Sequence, residues 1–79
     1  MKTYYPLRAA ADFAGVSKRT MYRWIDRGLH TEEYGRIRLQ KVDIASRGTC
    51  IEETHLKAFV AARDRQLVFQ ARLHEKFIH

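Results

Sequence analysis

At 79 residues the chain has room for one domain and little room for a deep catalytic cleft, since a domain this small buries only roughly 60% of its unfolded surface. Its composition, 46% hydrophobic and 30% charged with a single proline, is that of a folded chain and excludes a disordered or low-complexity segment. The net charge of +6 is concentrated before residue 49, where ten Lys/Arg face five Asp/Glu, and it favours an anionic partner, either nucleic acid or a membrane surface.

In chain order, the pattern predicts a first helix over residues 6–14. Pro6 suits a first helical turn, where its missing N–H is not needed. Leu7, Ala10, Ala11 and Ala14 share one face, and Gly15 offers a left-handed cap. A second helix is expected over 17–27. Ser17 is its N-cap, placed to accept from the N–H of Arg19 or Thr20, and Gly28 is its stop. Met21, Trp24 and Ile25 form its inward face. Only Gly15 and Val16 separate the first helix from the cap, so the two helices read as a tight helix-turn-helix.

Residues 29–35 read as loop or a short strand. Residues 36–51 read as one β-hairpin with a bulge near Gln40–Lys41, a turn at Ser46–Gly48 and a return strand at Thr49–Ile51. Cys50, the only cysteine, reads there as a structural thiol and excludes a disulfide framework. A last helix is expected over 53–77, docked through Leu56, Phe59 and Val60. Arg63, Asp64 and Arg65 interrupt its apolar stripe, which resumes at Leu67, Val68 and Ala71 beside a second row of Phe69, Leu73 and Phe77. A body this small cannot cover that second row. Exposed apolar rows mark interfaces, so self-association or docking to a recombinase is expected at Phe69, Leu73 and Phe77. The expected fold is mainly α with a small β-hairpin, one domain over 1–79: a winged helix-turn-helix with a long C-terminal helix for docking and oligomerisation.

The second helix carries the chemistry. With Met21, Trp24 and Ile25 inward, Lys18, Arg19, Tyr22, Arg23, Asp26 and Arg27 remain outside. Four cations and a tyrosine then lie on a helix held from behind, and a B-DNA major groove about 12 Å wide admits one such helix. Arginine grips guanine O6 and N7 bidentately, whereas lysine and tyrosine suit phosphates. A phosphate also suits the helix start at Ser17, Lys18 and Arg19. The hairpin adds Arg36, Arg38, Lys41 and, at its tip, Arg47, which suits DNA backbone or minor groove.

The segment PLRAAADFAGVSKRTMYRWIDRGL resembles the opening of the excisionase and MerR-like winged helix-turn-helix group, through Gly15, Val16, Ser17, Thr20, Arg23, Trp24 and Gly28. The segment YGRIRLQKVDIASRGTCIEETHLKAFVAAR is similar to the wing and docking helix of small phage or mobile-element proteins. Together the likeness covers about residues 5–63. It implies double-stranded DNA binding, with Ser17, Lys18, Arg19, Tyr22 and Arg23 at the groove and Arg47 on the wing. No effector segment follows the docking helix, so a MerR-type sensor is not expected.

The expected function is therefore non-enzymatic, sequence-specific binding of double-stranded DNA, as an excisionase-like directionality or architectural factor in DNA recombination. Alternatives are a transcriptional repressor of a phage or mobile element, a DNA-recognition subunit of a packaging complex, and an interaction adaptor without DNA binding. His30, His55, His74, His79 and Cys50 lack metal-ligand spacing, and no phosphate loop or nucleophile motif is present, so no metal, cofactor or catalysis is expected. No apolar run is long enough to span a bilayer and no signal-peptide pattern opens the chain, so no membrane contact and a bacterial cytoplasmic or nucleoid location are expected.

Overall fold

The computed structural model describes the backbone of residues 1–78 and the side chains of residues 1–75. Eight elements follow one another: β1 (Tyr4–Pro6), α1 (Leu7–Ala14), α2 (Lys18–Asp26), β2 (Leu29–Thr31), β3 (Gly35–Ile37), β4 (Val42–Ile44), β5 (Gly48–Glu52) and α3 (Glu53–Ile78). The helix pair forms where its capping residues place it. Gly15 adopts φ +71° after α1, a left-handed conformation that costs glycine little. Ser17 stands outside α2 and its Oγ accepts from the Thr20 N–H at 3.2 Å. Leu7, Ala10, Ala11 and Ala14 are buried in α1, and Met21 and Trp24 in α2. Ile25 is half-buried at the core's edge.

The β structure corrects the expectation of a mainly α protein with one small hairpin. There are two antiparallel sheets, a three-stranded one in the order β1-β5-β4 and a two-stranded one of β2 and β3. The fold is thus a mixture of three helices with two small sheets. The expected hairpin over 36–51 is split between them. Its first strand, β3, turns back onto β2, pairing Leu29 with Ile37 and Thr31 with Gly35. Thr31 organises that turn: its Oγ1 donates to the Gly35 carbonyl at 2.8 Å and accepts from the Tyr34 N–H at 3.0 Å.

In place of the expected bulge at Gln40–Lys41, the chain leaves the ladder altogether. The Leu39 N–H donates to the Trp24 carbonyl at 3.1 Å, and the Gln40 N–H donates to His55 Nε2 at 2.8 Å. Leu39 is thereby pulled into the core at 1% exposure. Backbone donors satisfied off the sheet have no reason to continue a hairpin. The second half, β4, then pairs with β5.

β1 is the other departure. Tyr4–Pro6 pairs with β5, Tyr5 opposite Ile51, so Pro6 closes a strand and precedes α1 with ψ 152° instead of forming its first turn. Proline is tolerated there because β1 is an edge strand. The Tyr5 hydroxyl donates to Glu53 Oε2 at 3.0 Å, tying the chain's start to the first turn of α3. That bond holds the phenol above its ordinary pKa, with partial burial and the Glu53 charge adding to the effect.

α3 closes the core with Leu56, Phe59 and Ala62, and the Trp24 and Phe59 rings meet at 5.1 Å between centroids. Gln66 is the last buried residue described on it, its Oε1 accepting from the Glu32 N–H at 2.7 Å. Beyond that point the helix leaves the body.

Candidate nucleic-acid interface

The core fixes which way α2 faces. Met21 is fully buried and Trp24 is 4% exposed. Trp24 is held from three sides: by Phe59, by the Leu39 N–H on its carbonyl, and by the Arg63 guanidinium 5.7 Å from its ring centre. Arg63 also donates from Nη1 to the Ala14 carbonyl at 2.9 Å, so one side chain of α3 clamps the end of α1 and the back of α2. The opposite side of α2 presents Lys18, Tyr22, Asp26, Arg19, Arg23 and Arg27, all exposed. At 3.6 residues per turn they occupy about half the helix circumference. Among the described residues none of the four cations forms an ion pair.

The start of α2 is also open. Ser17 caps Thr20 and the Met21 N–H reaches the Ser17 carbonyl, but the N–H groups of Lys18 and Arg19 have no intrahelical acceptor. They point the same way as the positive end of the helix dipole. Ser17 itself is committed to the cap, its hydroxyl also donating to Thr20 Oγ1 at 3.2 Å.

The other expected contacts are redistributed. Arg36 is exposed, yet its Nη1 donates to the Arg27 carbonyl at 2.8 Å, which makes it a cap on the C-terminal end of α2. Arg38 follows on the segment returning to Trp24 and is exposed beside it. Both are brought close by Gly28, at φ +81°, where an added Cβ would stand 2.5 Å from the Ile37 carbonyl oxygen and 2.9 Å from Arg38 Cγ. Arg47 lies in the turn between β4 and β5, on the sheet that packs against α1. Splitting the hairpin thus separates Arg47 from Arg36 and Arg38, which belong to the segment that follows α2.

No family model, curated protein or solved structure matches this chain. The interface therefore stands on its geometry: one helix, rigidly backed, with four cations and one carboxylate over its outer half, no ion pair formed by those cations among the described residues, and open N–H groups at its start. Such a surface attracts phosphates and offers arginines to base edges.

Among the described residues no group of three His, Cys, Asp or Glu is placed to hold a metal ion. No helix described is long and apolar enough to cross a membrane. Of the expected partner-facing residues, Phe69 and Leu73 are exposed, and the side chain of Phe77 lies outside the described residues. The pattern gave no notice of Arg63 and Gln66 as structural polar residues, although the break in the apolar stripe at residues 63–65 marks the turn where α3 changes from core to clamp.

Proposed function

We propose that the protein binds double-stranded DNA by inserting α2 into the major groove, as a non-enzymatic factor of the excisionase or regulatory kind. The observation that carries this reading is the outer face of α2, where Lys18, Arg19, Tyr22, Arg23 and Arg27 are exposed on a helix anchored by buried Met21 and Trp24. Arg23, midway along the helix, is suited to a guanine edge. Lys18, Arg19 and Tyr22 flank the open helix start and suit phosphates. Arg36 supports the site by holding the end of α2. A single module of this size buries roughly 600–1,000 Å² on DNA, so its specificity on one site is modest.

The reading is tested by incubating the purified protein with sheared DNA of its source genome at about 0.15 M salt and sequencing what is retained. Fragments sharing a short site are expected. Sites at recombination ends would favour the excisionase role, and sites in promoters a repressor. Absence of any enrichment, even at lower salt where phosphate contacts dominate, would overturn DNA binding.

A further inference from the structure

One residue on the outer face of α2 does not belong to a merely basic surface. Asp26 is exposed in the last turn of the helix, where the macrodipole favours cations and disfavours a carboxylate. Nothing local offsets that cost. Among the described residues its carboxylate forms no hydrogen bond and no ion pair, although Arg23 stands one turn before it and Arg27 directly after it. A residue that breaks a local rule with no compensation in the fold is a candidate for contact with a ligand. Its direction is fixed as well. At about 100° per residue, the direction opposite the midpoint of buried Met21 and Trp24 passes within about 10° of Arg19 and of Asp26. Tyr22 and Arg23 stand about 50° to either side of that line, and Lys18 and Arg27 about 90°. Arg19 belongs to the helix start with its free N–H groups, so Asp26 is the outermost residue of the second half.

We infer that Asp26 is a specificity-determining residue, accepting a hydrogen bond from the N4 amino group of a cytosine in the major groove. This rests on the reading of α2 as the helix that enters the groove. The walls of that groove are phosphates, and Lys18 and Arg27, on opposite flanks of α2, are placed to meet one wall each. The line midway between them then turns towards the base edges. A carboxylate on that line is repelled by phosphate, and it accepts hydrogen bonds but cannot donate them. The donors on the major-groove edge are the amino groups of cytosine and adenine. Adenine sets its N7 acceptor beside its amino group, which suits an amide and not a carboxylate, so cytosine is the base that Asp26 favours. Arg23, suited to a guanine, precedes Asp26 by three residues. That is about 4.5 Å along the helix axis, against about 3.4 Å between base pairs. The cytosine is therefore expected in the base pair of that guanine or in the next one.

Selection from a library of randomised duplexes at about 0.15 M salt tests this, with the wild type, Asp26→Ala and Asp26→Asn run side by side. The wild type is expected to enrich a site in which one position prefers cytosine about tenfold. Asp26→Ala abolishes the preference at that position and keeps those at the others. Asp26→Asn moves it from cytosine to adenine, whose N6 and N7 an amide grips together. Neither variant lowers the melting temperature, since Asp26 holds nothing in the fold. A wild-type site unchanged in Asp26→Ala would overturn the inference and leave DNA binding standing, as would loss of a preference for a base other than cytosine. A melting temperature several degrees lower in Asp26→Ala would make Asp26 a structural residue and also overturn it. If the wild type enriched no site at all, the reading of α2 would fall and the inference with it.

Discussion

α2 and α3 both carry several cations, and they use them in opposite ways. On α3, Arg63 is folded over Trp24 and bonded to the Ala14 carbonyl, with Asp64 at 2.9 Å. Arg65 is bonded to Glu33 at 2.8 Å and lies 5.7 Å from the centre of the Tyr34 ring. On α2, Lys18, Arg19, Arg23 and Arg27 form no ion pair among the described residues and stand in solvent. A cation that has a carboxylate, a carbonyl and a ring around it is part of the structure. One with none of these is available to a ligand. The difference separates the charges that hold this fold from those it offers, which net charge alone cannot do.

The largest effect expected falls on the wall between the two helices. Trp24→Ala removes the ring that Phe59 and Arg63 pack on, and costs about 3–5 kcal/mol in urea unfolding, enough to unfold a domain of this size. Next comes Gly28→Ala. A left-handed φ combined with a Cβ 2.5 Å from the Ile37 carbonyl costs about 1–3 kcal/mol of stability and shifts the segment carrying Arg36 and Arg38.

The comparison itself is sharpened by a crossed pair. Arg23→Ala weakens specific DNA binding by about 1–3 kcal/mol and leaves the melting temperature nearly unchanged. Arg63→Ala costs about 1–2 kcal/mol of stability, through the lost cap on α1 and the lost contact with Trp24, and leaves binding by the folded protein nearly unchanged. A reversal of that pattern would break the distinction.

The smallest effect is on acid stability. Bonds from Arg65, and then from Tyr34, hold the Glu33 carboxyl below its ordinary value of 4.5. A lowered acid pKa adds stability above that ordinary value, which is lost as pH falls through the lowered one. The melting-temperature difference between wild type and Glu33→Gln is therefore expected above about pH 4.5 and should vanish in stronger acid.

Local chemistry made the helix pair legible. Gly15, Ser17 and Gly28 terminate or cap within a few residues of where they stand, and the burial of Met21 and Trp24 follows from helical spacing. The outward set on α2 is the complement of that spacing, so most of the candidate site could be read from the residues. What escaped was non-local. Tyr4 pairs with Glu52 and Tyr5 with Ile51, and no short-range pattern announces a partner so far along the chain. The alternation over 36–44 has the period of a strand but does not name the strand it joins. β3 took β2 because Thr31 built a turn, and β4 took β5 because Leu39 and Gln40 turned their N–H groups to Trp24 and His55. Arg36 and Arg47 fall to different sheets for the same reason. Their charge is plain in the chain, but their neighbours are set by which strands pair.

The central claim, that α2 and not general positive charge binds DNA, is tested most directly by two triple variants of equal net charge. One replaces Lys18, Arg19 and Arg23 with alanine; the other replaces Lys2, Lys41 and Lys57, which are also exposed. Fluorescence anisotropy on a duplex would follow affinity against salt concentration. The α2 triple is expected to lose at least about tenfold in affinity and to flatten the slope of log K against log salt by about two, while the other triple stays near wild type. Equal losses in the two triples would contradict the account and leave only unspecific attraction between a basic protein and a polyanion.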